Sequence, residues 1–203
     1  MSVYYLGGGT CCGKSTVTEL LCKKYGLRLF KQDDYLFDYL EQLAKAGHDI
    51  AVKQSDQSME ETWLGSDAIK MCDEEMQLYA AMLPLSQTAI ATLPGQGDIL
   101  AEGVGFLPNL MHDAGVDKRH YACMIPTPVF RLDEYAKRPW ISHFLKDVSD
   151  KDAAFKNWME RDARLSDAAF AQAQSFGYST YVVDGSVPIE HTVCFLEKVF
   201  GLE

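Results

Sequence analysis

Short runs of apolar residues alternate along the chain with longer stretches in which apolar residues recur every three or four positions. The short runs are typical of buried strands, and they lie at residues 3–6, 27–30, 98–103, 121–125 and 181–183. The periodic stretches predict helices at residues 16–24, 36–43, 59–83, 155–176 and 189–200, with a shorter helix reaching Leu93. Strands that alternate with helices predict an α/β fold, in which helices cover both faces of a mostly parallel, five-stranded sheet.

Local signals mark several ends of the predicted helices. Ser58-Met59-Glu60-Glu61 fits a capping box that opens a helix. Pro84 is expected to end that helix, because proline has no N–H to continue the hydrogen-bond ladder. Gly47 is expected to end the preceding helix. The segment from about 47 to 93 is therefore predicted to be a helical insertion between the second and third strands.

Composition limits the class of protein. The 203 residues, 47% apolar and 24% charged, predict one globular domain over residues 1–203. The net charge of −10 argues against nucleic acid as a main partner, and no apolar run is long enough to span a bilayer. Six cysteines without a C-x-x-C pair, and no secretory signal, predict free thiols in a cytoplasmic protein. We expect this protein to be a monomer or a homodimer.

The segment GGGTCCGKST at residues 7–16 carries the most specific chemistry. Gly8-x4-Gly13-Lys14-Ser15 fits the phosphate-loop pattern G-x-x-x-x-G-K-[ST], known as Walker A, between a predicted strand and a predicted helix. Such a loop binds nucleotide phosphates with its backbone N–H groups and its lysine. Its serine hydroxyl binds the Mg²⁺ that accompanies the phosphates. The nucleotide-binding residues predicted here are Gly8, Gly9, Thr10, Cys11, Cys12, Gly13, Lys14, Ser15 and Thr16. The alternative is a glycine-rich turn with a surface lysine.

Two adjacent cysteines in the loop have two interpretations. A thiol near a helix N-terminus can have a lowered pKa and become reactive. Alternatively, Cys11 and Cys12 are small side chains that fit the loop.

Three acids follow predicted strands. Asp33 and Asp34 come after the second strand, and Glu102 ends the third. Because strand ends approach the bound phosphate in this kind of sheet, each acid can orient an acceptor hydroxyl, take its proton or support Mg²⁺. The alternatives are a helix N-cap for the aspartates and a strand-end turn for Glu102.

Arginines cluster after the fourth strand, at positions 131, 138, 161 and 164. Arginine stabilises the charge of a transferred phosphoryl group, so this region, about 128–165, fits an arginine-bearing lid. The alternative is a solvated helix face paired with nearby acids. Asp162 projects into the apolar stripe of the long helix and therefore needs a partner, such as a nearby arginine.

With these motifs, the chain resembles the shikimate-kinase and nucleoside or nucleoside-monophosphate kinase group of P-loop kinases. The resemblance is carried by GGGTCCGKST, KQDDY, ILAEGVG, AKRPW and MERDARL. It implies a P-loop three-layer sandwich, nucleotide contact at Arg138 and beside Asp184, Gly185 and Ser186, and substrate contact at Arg161 and at Asp33 or Asp34. Glu102-Gly103 departs from the glycine triplet of shikimate kinase.

These observations predict an ATP- and Mg²⁺-dependent kinase that phosphorylates a small metabolite. The predicted catalytic residues are Lys14, Asp33, Asp34, Glu102, Arg138 and Arg161. Two alternatives remain. One is a regulatory nucleotide-binding protein with slow ATP hydrolysis, and the other is a chain that keeps the loop without chemistry.

Overall fold

The computed structural model describes residues 1–202, which form five strands and ten α-helices. The strands are β1 (Val3–Gly8), β2 (Arg28–Lys31), β3 (Ile99–Glu102), β4 (Tyr121–Pro126) and β5 (Ser179–Val183). The helices are α1 (Lys14–Tyr25), α2 (Leu36–Lys45), α3 (Asp49–Asp56), α4 (Met59–Leu64), α5 (Ala68–Ala91), α6 (Pro108–Asp113), α7 (Pro128–Ala136), α8 (Trp140–Phe144), α9 (Lys151–Phe176) and α10 (Ile189–Phe200).

The strands form one parallel sheet in the order β2-β3-β1-β4-β5. The central strand β1 pairs Leu6 with Glu102 of β3 and Gly8 with Met124 of β4. The carboxyl ends of these strands therefore meet at one edge of the sheet, where such folds bind their ligands. This arrangement confirms the predicted α/β class.

Helices cover both faces of the sheet. On one face, α1 and α10 pack buried side chains such as Val17, Leu21 and Leu196 against β1, β3 and β4. On the other face, Ile90 of α5 and Ala173 of α9 lie in the second core cluster. The three-layer sandwich predicted from the sequence is thus confirmed. Within residues 1–202, no helix is both long and apolar enough to pass through a membrane.

The prediction that a helix ends near Pro84 is wrong. Helix α5 continues through Pro84 to Ala91, and its buried positions Leu83, Ser86 and Ile90 lie on both sides of the proline. Continued packing of this face against the core outweighs the single hydrogen bond that proline removes. The break occurs earlier instead, at Gly65, after the predicted capping box at Ser58 has opened α4.

The apolar pattern did not predict the short helices α3, α6, α7 and α8. Each has too few residues for a clear 3.6-residue period. Helix α7 nevertheless carried a readable start signal, since Thr127 caps it and Pro128 occupies its first turn. Residues 47–93 are helical, as expected, but α5 also contributes Leu83 and Ile90 to the main core.

Gly8 allows the end of β1 to pack directly on β4. A Cβ at Gly8 would lie 1.9 Å from the carbonyl oxygen of Met124, and its φ is +114°. We expect Gly8→Ala to lower the free energy of unfolding by about 3 kcal/mol or more, because backbone cannot yield cheaply there. Denaturant unfolding measures this loss.

Gly26→Ala is the matched control. Gly26 also has a positive φ, +67°, but a Cβ at this position would have no atom within 4 Å. We expect it to cost only about 1 kcal/mol, the penalty of the left-handed conformation alone. Equal losses in the two variants would contradict the packing role of Gly8.

Candidate active site

The phosphate loop is held against the sheet by its own backbone. The N–H of Gly9 donates to the carbonyl of Met124 at 2.8 Å, and a Cβ at Gly9 would lie 2.3 Å from Ser166 Oγ. Gly13 adopts φ +80° at the N-cap of α1. Gly8 and Gly9, predicted as nucleotide contacts, therefore shape the loop and line none of the three cavities described below.

The loop forms one side of a cavity of about 190 Å³, which we call the phosphate cavity. Its lining residues are Thr10, Cys11, Cys12, Gly13, Lys14, Ser15, Thr16, Asp33, Glu102, Val104 and Arg138. Seven of the nine predicted loop residues and three of the remaining predicted catalytic residues thus lie in one place. The N-terminus of the 12-residue helix α1 is adjacent, and it favours negative charge.

Ser15 and Glu102 meet at this cavity. Ser15 Oγ donates to Glu102 Oε1 at 2.8 Å, and Glu102 is 2% exposed at the end of β3. Burial raises the pKa of Glu102, although the charge of Lys14 and the hydrogen bond from Ser15 act to lower it. A hydroxyl and a carboxylate oxygen side by side are the ligand types that Mg²⁺ prefers, with phosphate oxygens and water filling other positions. Within residues 1–202, no three His, Cys, Asp or Glu side chains group as a metal site.

Lys14 and Cys12 stabilise the loop from inside. Lys14 is 7% exposed and donates through Nζ to the carbonyl of Gly9 at 2.5 Å. The thiol of Cys12 is buried and donates to the carbonyls of Gly9 and Met124. Cys12 therefore fits the small-filler interpretation.

Cys11 does not have the environment of an activated thiol. Its φ is +61°, and burial raises its pKa to about 11, outweighing the lowering effects of Arg138 and Lys14. The interpretation that the Cys11 thiol has a lowered pKa is thus wrong, because desolvation exceeds the effect of nearby positive charge. All six cysteines lie in the described residues and are free.

The structure separates Asp33 from Asp34. Both lie in a short 3₁₀ turn, Gln32–Tyr35, after β2, but only Asp33 lines the phosphate cavity. Asp34 lines none of the three cavities. The N-cap of α2 is Tyr35, without a side-chain cap, so neither aspartate has the capping role that was the alternative.

Gly103 and Gly105 serve packing. A Cβ on either would lie about 2.6 Å or less from the side chain of Gln32. Gln32 is 1% exposed, accepts from the N–H of Gly105 and donates to Ser86. These glycines therefore give room to Gln32, and Gln32 fixes the turn that carries Asp33.

A second cavity, of about 230 Å³, adjoins the first, and we call it the base cavity. The two share Cys11, Cys12 and Gly13. Asp184 and Gly185, which the resemblance implied as nucleotide contacts, both line the base cavity. Ser186 does not line this cavity, and its N–H and hydroxyl donate to Asp184. Sequence signals indicated none of the other lining residues, which are Phe130, Glu134, Tyr181, Val182, Val183, Val187, Ile189 and Thr192.

The four arginines of the predicted lid have different environments. Arg138 lines the phosphate cavity and lies over the rings of Tyr135 and Trp140, 5.4 and 5.9 Å from their centroids. Arg164 pairs with Glu160 on an exposed face, so the solvated-face alternative is right for Arg164. Arg131 is buried and contacts the backbone of Asp162 and the Ser166 hydroxyl.

Asp162 joins the loop, α7 and α9. It is 1% exposed, and its Oδ2 accepts from Thr10 Oγ1 at 2.8 Å and from the Tyr135 hydroxyl. Its Oδ1 lies 2.8 Å from Arg161 Nη2. Asp162 therefore has the arginine partner that was expected, and this partner is Arg161, the preceding residue. No local signal pointed to Thr10 and Tyr135 as partners, since they lie far away along the chain.

Arg161 extends from this centre to a third cavity, of about 190 Å³. Its Nη1 lies 3.4 Å from Glu75 Oε2, and its guanidinium lies 5.1 Å from the ring centroid of Trp63. The other lining residues are Phe37, Leu40, Gln54, Gln57, Met59, Thr62, Met71 and Glu74. Most of them belong to the predicted insertion.

Comparison with known proteins shows the fold. No protein-family model and no curated protein sequence matches the chain. A shikimate kinase from Bacteroides thetaiotaomicron is 13% identical, with a TM-score of 0.50 and 99% of each chain covered. A deoxyadenosine kinase from M. mycoides, with products dCMP and dCDP bound, is 13% identical, with a TM-score of 0.48 and both chains fully covered. The first likeness confirms the P-loop kinase fold predicted from the sequence.

Burial of Glu102 generates a prediction about stability. Because its pKa is raised above the ordinary 4.5, its ionised form is costly in the fold when nucleotide and divalent cations are left out of the buffer. We expect Glu102→Gln to raise the melting temperature at pH 7. The difference in melting temperature between Glu102→Gln and the parent should be complete above the folded-state pKa of Glu102. It should disappear as the pH falls below 4.5, where Glu102 is protonated in both the folded and the unfolded protein.

Thermal unfolding between pH 4 and 8 measures this effect. Glu160→Gln is the control, because Glu160 is half-exposed and its pair with Arg164 contributes less than about 0.5 kcal/mol. A Glu102→Gln protein that is less stable than the parent at pH 7 would show that the burial cost has been misassigned.

Proposed function

We propose that this protein is an ATP-dependent phosphotransferase that moves the γ-phosphoryl group to a small metabolite, with Mg²⁺ as cofactor. The observation that carries the proposal is the Ser15–Glu102 hydrogen bond inside a cavity that also contains Lys14. Ser15 follows the lysine of a phosphate loop, and Glu102 ends the strand next to β1. This is the combination that nucleotide phosphates with a bound divalent cation require.

The shared lining of two cavities supports a position for the nucleotide in this proposal. The base cavity and the phosphate cavity meet at Cys11, Cys12 and Gly13. Adenine would lie among Phe130, the segment after β5 and Ile189, and the phosphates would lie along the loop toward α1. The apolar character of the base cavity supports a flat ring there.

Ser15 and Glu102 would hold Mg²⁺, since both are oxygen ligands and they lie in hydrogen-bond contact. When bound, Mg²⁺ neutralises charge on the β- and γ-phosphates. The Glu102 carboxylate must be ionised for this role, and the positive charge of Lys14 supports that ionisation. Lys14 would exchange its contact with the Gly9 carbonyl for a phosphate oxygen.

Asp33 is the acid placed to receive the acceptor proton, because it lines the cavity and Glu102 is engaged by Ser15. The acceptor oxygen bonds to the γ-phosphorus, the bond from that phosphorus to the β-phosphate oxygen breaks, and ADP leaves. The hydroxyl proton passes to Asp33. Arg138, in the same cavity, would stabilise the transferred group.

The acceptor is a small molecule in this proposal, and the protein acts in the cytoplasm as a monomer or homodimer. The six free cysteines support a reducing compartment. Transfer to an acceptor distinguishes this function from regulatory ATP hydrolysis, in which water alone would receive the phosphoryl group.

Lys14→Ala tests the donor half of the site. We expect kcat/KM for ADP formation with a panel of hydroxyl and phosphate acceptors to fall at least about a hundredfold, because one charged donor to the phosphates is lost. Lys23→Ala, on the exposed face of the same helix, is the control and should keep the parent rate. Undiminished transfer by Lys14→Ala would refute the proposed function. ATP hydrolysis without transfer to any acceptor would favour the regulatory alternative.

Asp33→Asn and Asp34→Asn form a matched pair that tests the base. Each removes one carboxylate from the same turn. We expect Asp33→Asn to lower kcat by about 10²- to 10⁴-fold, the usual contribution of a general base, with little change in ATP affinity. We expect Asp34→Asn to change kcat by less than about threefold, since Asp34 lines none of the three cavities. The reverse ranking of the two variants would assign the proton to Asp34.

A further inference from the structure

The third cavity has an unusual charge balance. Arg161 is the one cationic side chain among its lining residues, all of which lie within the described chain. Two carboxylates already hold that cation, Asp162 at 2.8 Å and Glu75 at 3.4 Å. Arg161 and Glu75 are only 16% and 14% exposed. The positive charge of Arg161 is therefore neutralised by protein groups before any ligand arrives.

The other ionic pair near the cavity is also complete. Glu74 lines the cavity, and its carboxylate oxygens both lie 2.6 Å from Lys53 Nζ. A carboxylate or phosphate on a ligand would thus meet Glu74 and Glu75 without an unengaged cation. An anion that drew Arg161 away from Glu75 would leave that mostly buried carboxylate without its cation, which is costly.

Uncharged hydroxyl groups find suitable partners in the same place. Hydroxyls can donate to the free lone pairs of Glu74 and Glu75, and they can exchange hydrogen bonds with Gln54, Gln57 and Thr62. The remaining lining residues are apolar or aromatic, namely Phe37, Leu40, Met59, Trp63 and Met71. Phe37 is 71% exposed, so an aromatic face is available to cover a flat ring.

The third cavity is joined to the phosphate loop by a short chain of contacts. Arg161 lies in the cavity, Asp162 binds Arg161, and Thr10 of the loop donates to Asp162. Thr10 itself lines the phosphate cavity. The third cavity shares no lining residue with the base cavity, so a ligand there would lie near the loop and apart from the nucleotide base.

From these contacts we infer that the third cavity is the acceptor site, and that it selects an uncharged, hydroxyl-bearing ring compound, of the nucleoside or aryl-glycoside class, against acceptors that carry a carboxylate or phosphate. The statement that this ligand is the phosphoryl acceptor rests on the proposed function. Its specificity-determining residues are Glu75 and Glu74, which keep Arg161 and Lys53 engaged.

Binding of matched ligand pairs tests this selectivity. Calorimetry compares phenyl β-glucoside with phenyl β-glucuronide, and uridine with uridine 5′-monophosphate. Excess ADP and Mg²⁺ are present, so that nucleotide probes do not occupy the base and phosphate cavities. In any pair whose neutral member binds, we expect that member to bind at least about tenfold more tightly than its anionic partner. The reason is that the anion meets the negative charges of Glu74 and Glu75. Equal or tighter binding of the anionic members, or no binding of either neutral member, would overturn the inference.

Glu75→Gln locates the selectivity. It frees Arg161 from one carboxylate, so we expect the preference for the neutral ligand to shrink by at least about threefold as the anionic member gains affinity. Glu160→Gln is the control, since it makes the same charge change on the exposed face of α9, where it pairs with Arg164. Circular dichroism and melting temperature verify that both variants fold. An equal change in both variants, or no change in Glu75→Gln, would assign the selectivity elsewhere.

A parallel assay with ATP separates the two proposals. A protein that phosphorylates the anionic acceptors and not the neutral ones retains the proposed function and refutes this selectivity. A protein that binds the neutral rings, with loss of selectivity in Glu75→Gln, but transfers no phosphoryl group from ATP refutes the proposed function and supports the assignment of the cavity.

Discussion

The buried carboxylate of Asp162 is the interaction on which the arrangement of the site depends. A charge that is 1% exposed is tolerable only when donors surround it. Here the donors come from the phosphate loop through Thr10, from α7 through Tyr135 and from α9 through Arg161. Burial and this same carboxylate raise the pKa of Tyr135, so its hydroxyl remains a donor at neutral pH. Loss of any donor would leave part of the charge unsatisfied, which fixes the relative positions of all three elements.

Glu102 is also a buried acid, but it has fewer hydrogen-bond donors than Asp162. Its single hydrogen bond comes from Ser15, and burial raises its pKa. The fold therefore keeps a carboxylate that is incompletely satisfied by protein groups at the place where a cation with nucleotide phosphates would satisfy it. Such local instability is typical of functional sites, where stability is given up for chemistry. Asp162 differs from Glu102, because protein donors bind both of its carboxylate oxygens, and its role is therefore structural.

The sequence predicted the parts of the fold that depend on local pattern. The five strands, the phosphate loop and the capping box at Ser58 follow from apolar runs and from residue types at fixed spacing. What remained open depends on tertiary contacts. Asp33 enters the cavity and Asp34 does not because buried Gln32 fixes the turn through Gly105 and Ser86. These bonds span 73 and 54 residues, so no local pattern could reveal them.

Arg161 and Arg138 show why the two halves of the site are not independent. Arg161 is held by Asp162 at the edge of the third cavity. Arg138 follows Tyr135 by three residues, lies over its ring and reaches the phosphate cavity. Since the Tyr135 hydroxyl donates to Asp162, the same carboxylate connects a cation at the phosphate cavity with another at the third cavity. A shift of α7 that moves Arg138 must stretch or break that bond, and the bond shares its acceptor oxygen with Thr10 of the loop. The arginine-bearing segment and the phosphate loop are thereby connected through one buried carboxylate, which tolerates few other arrangements of its donors.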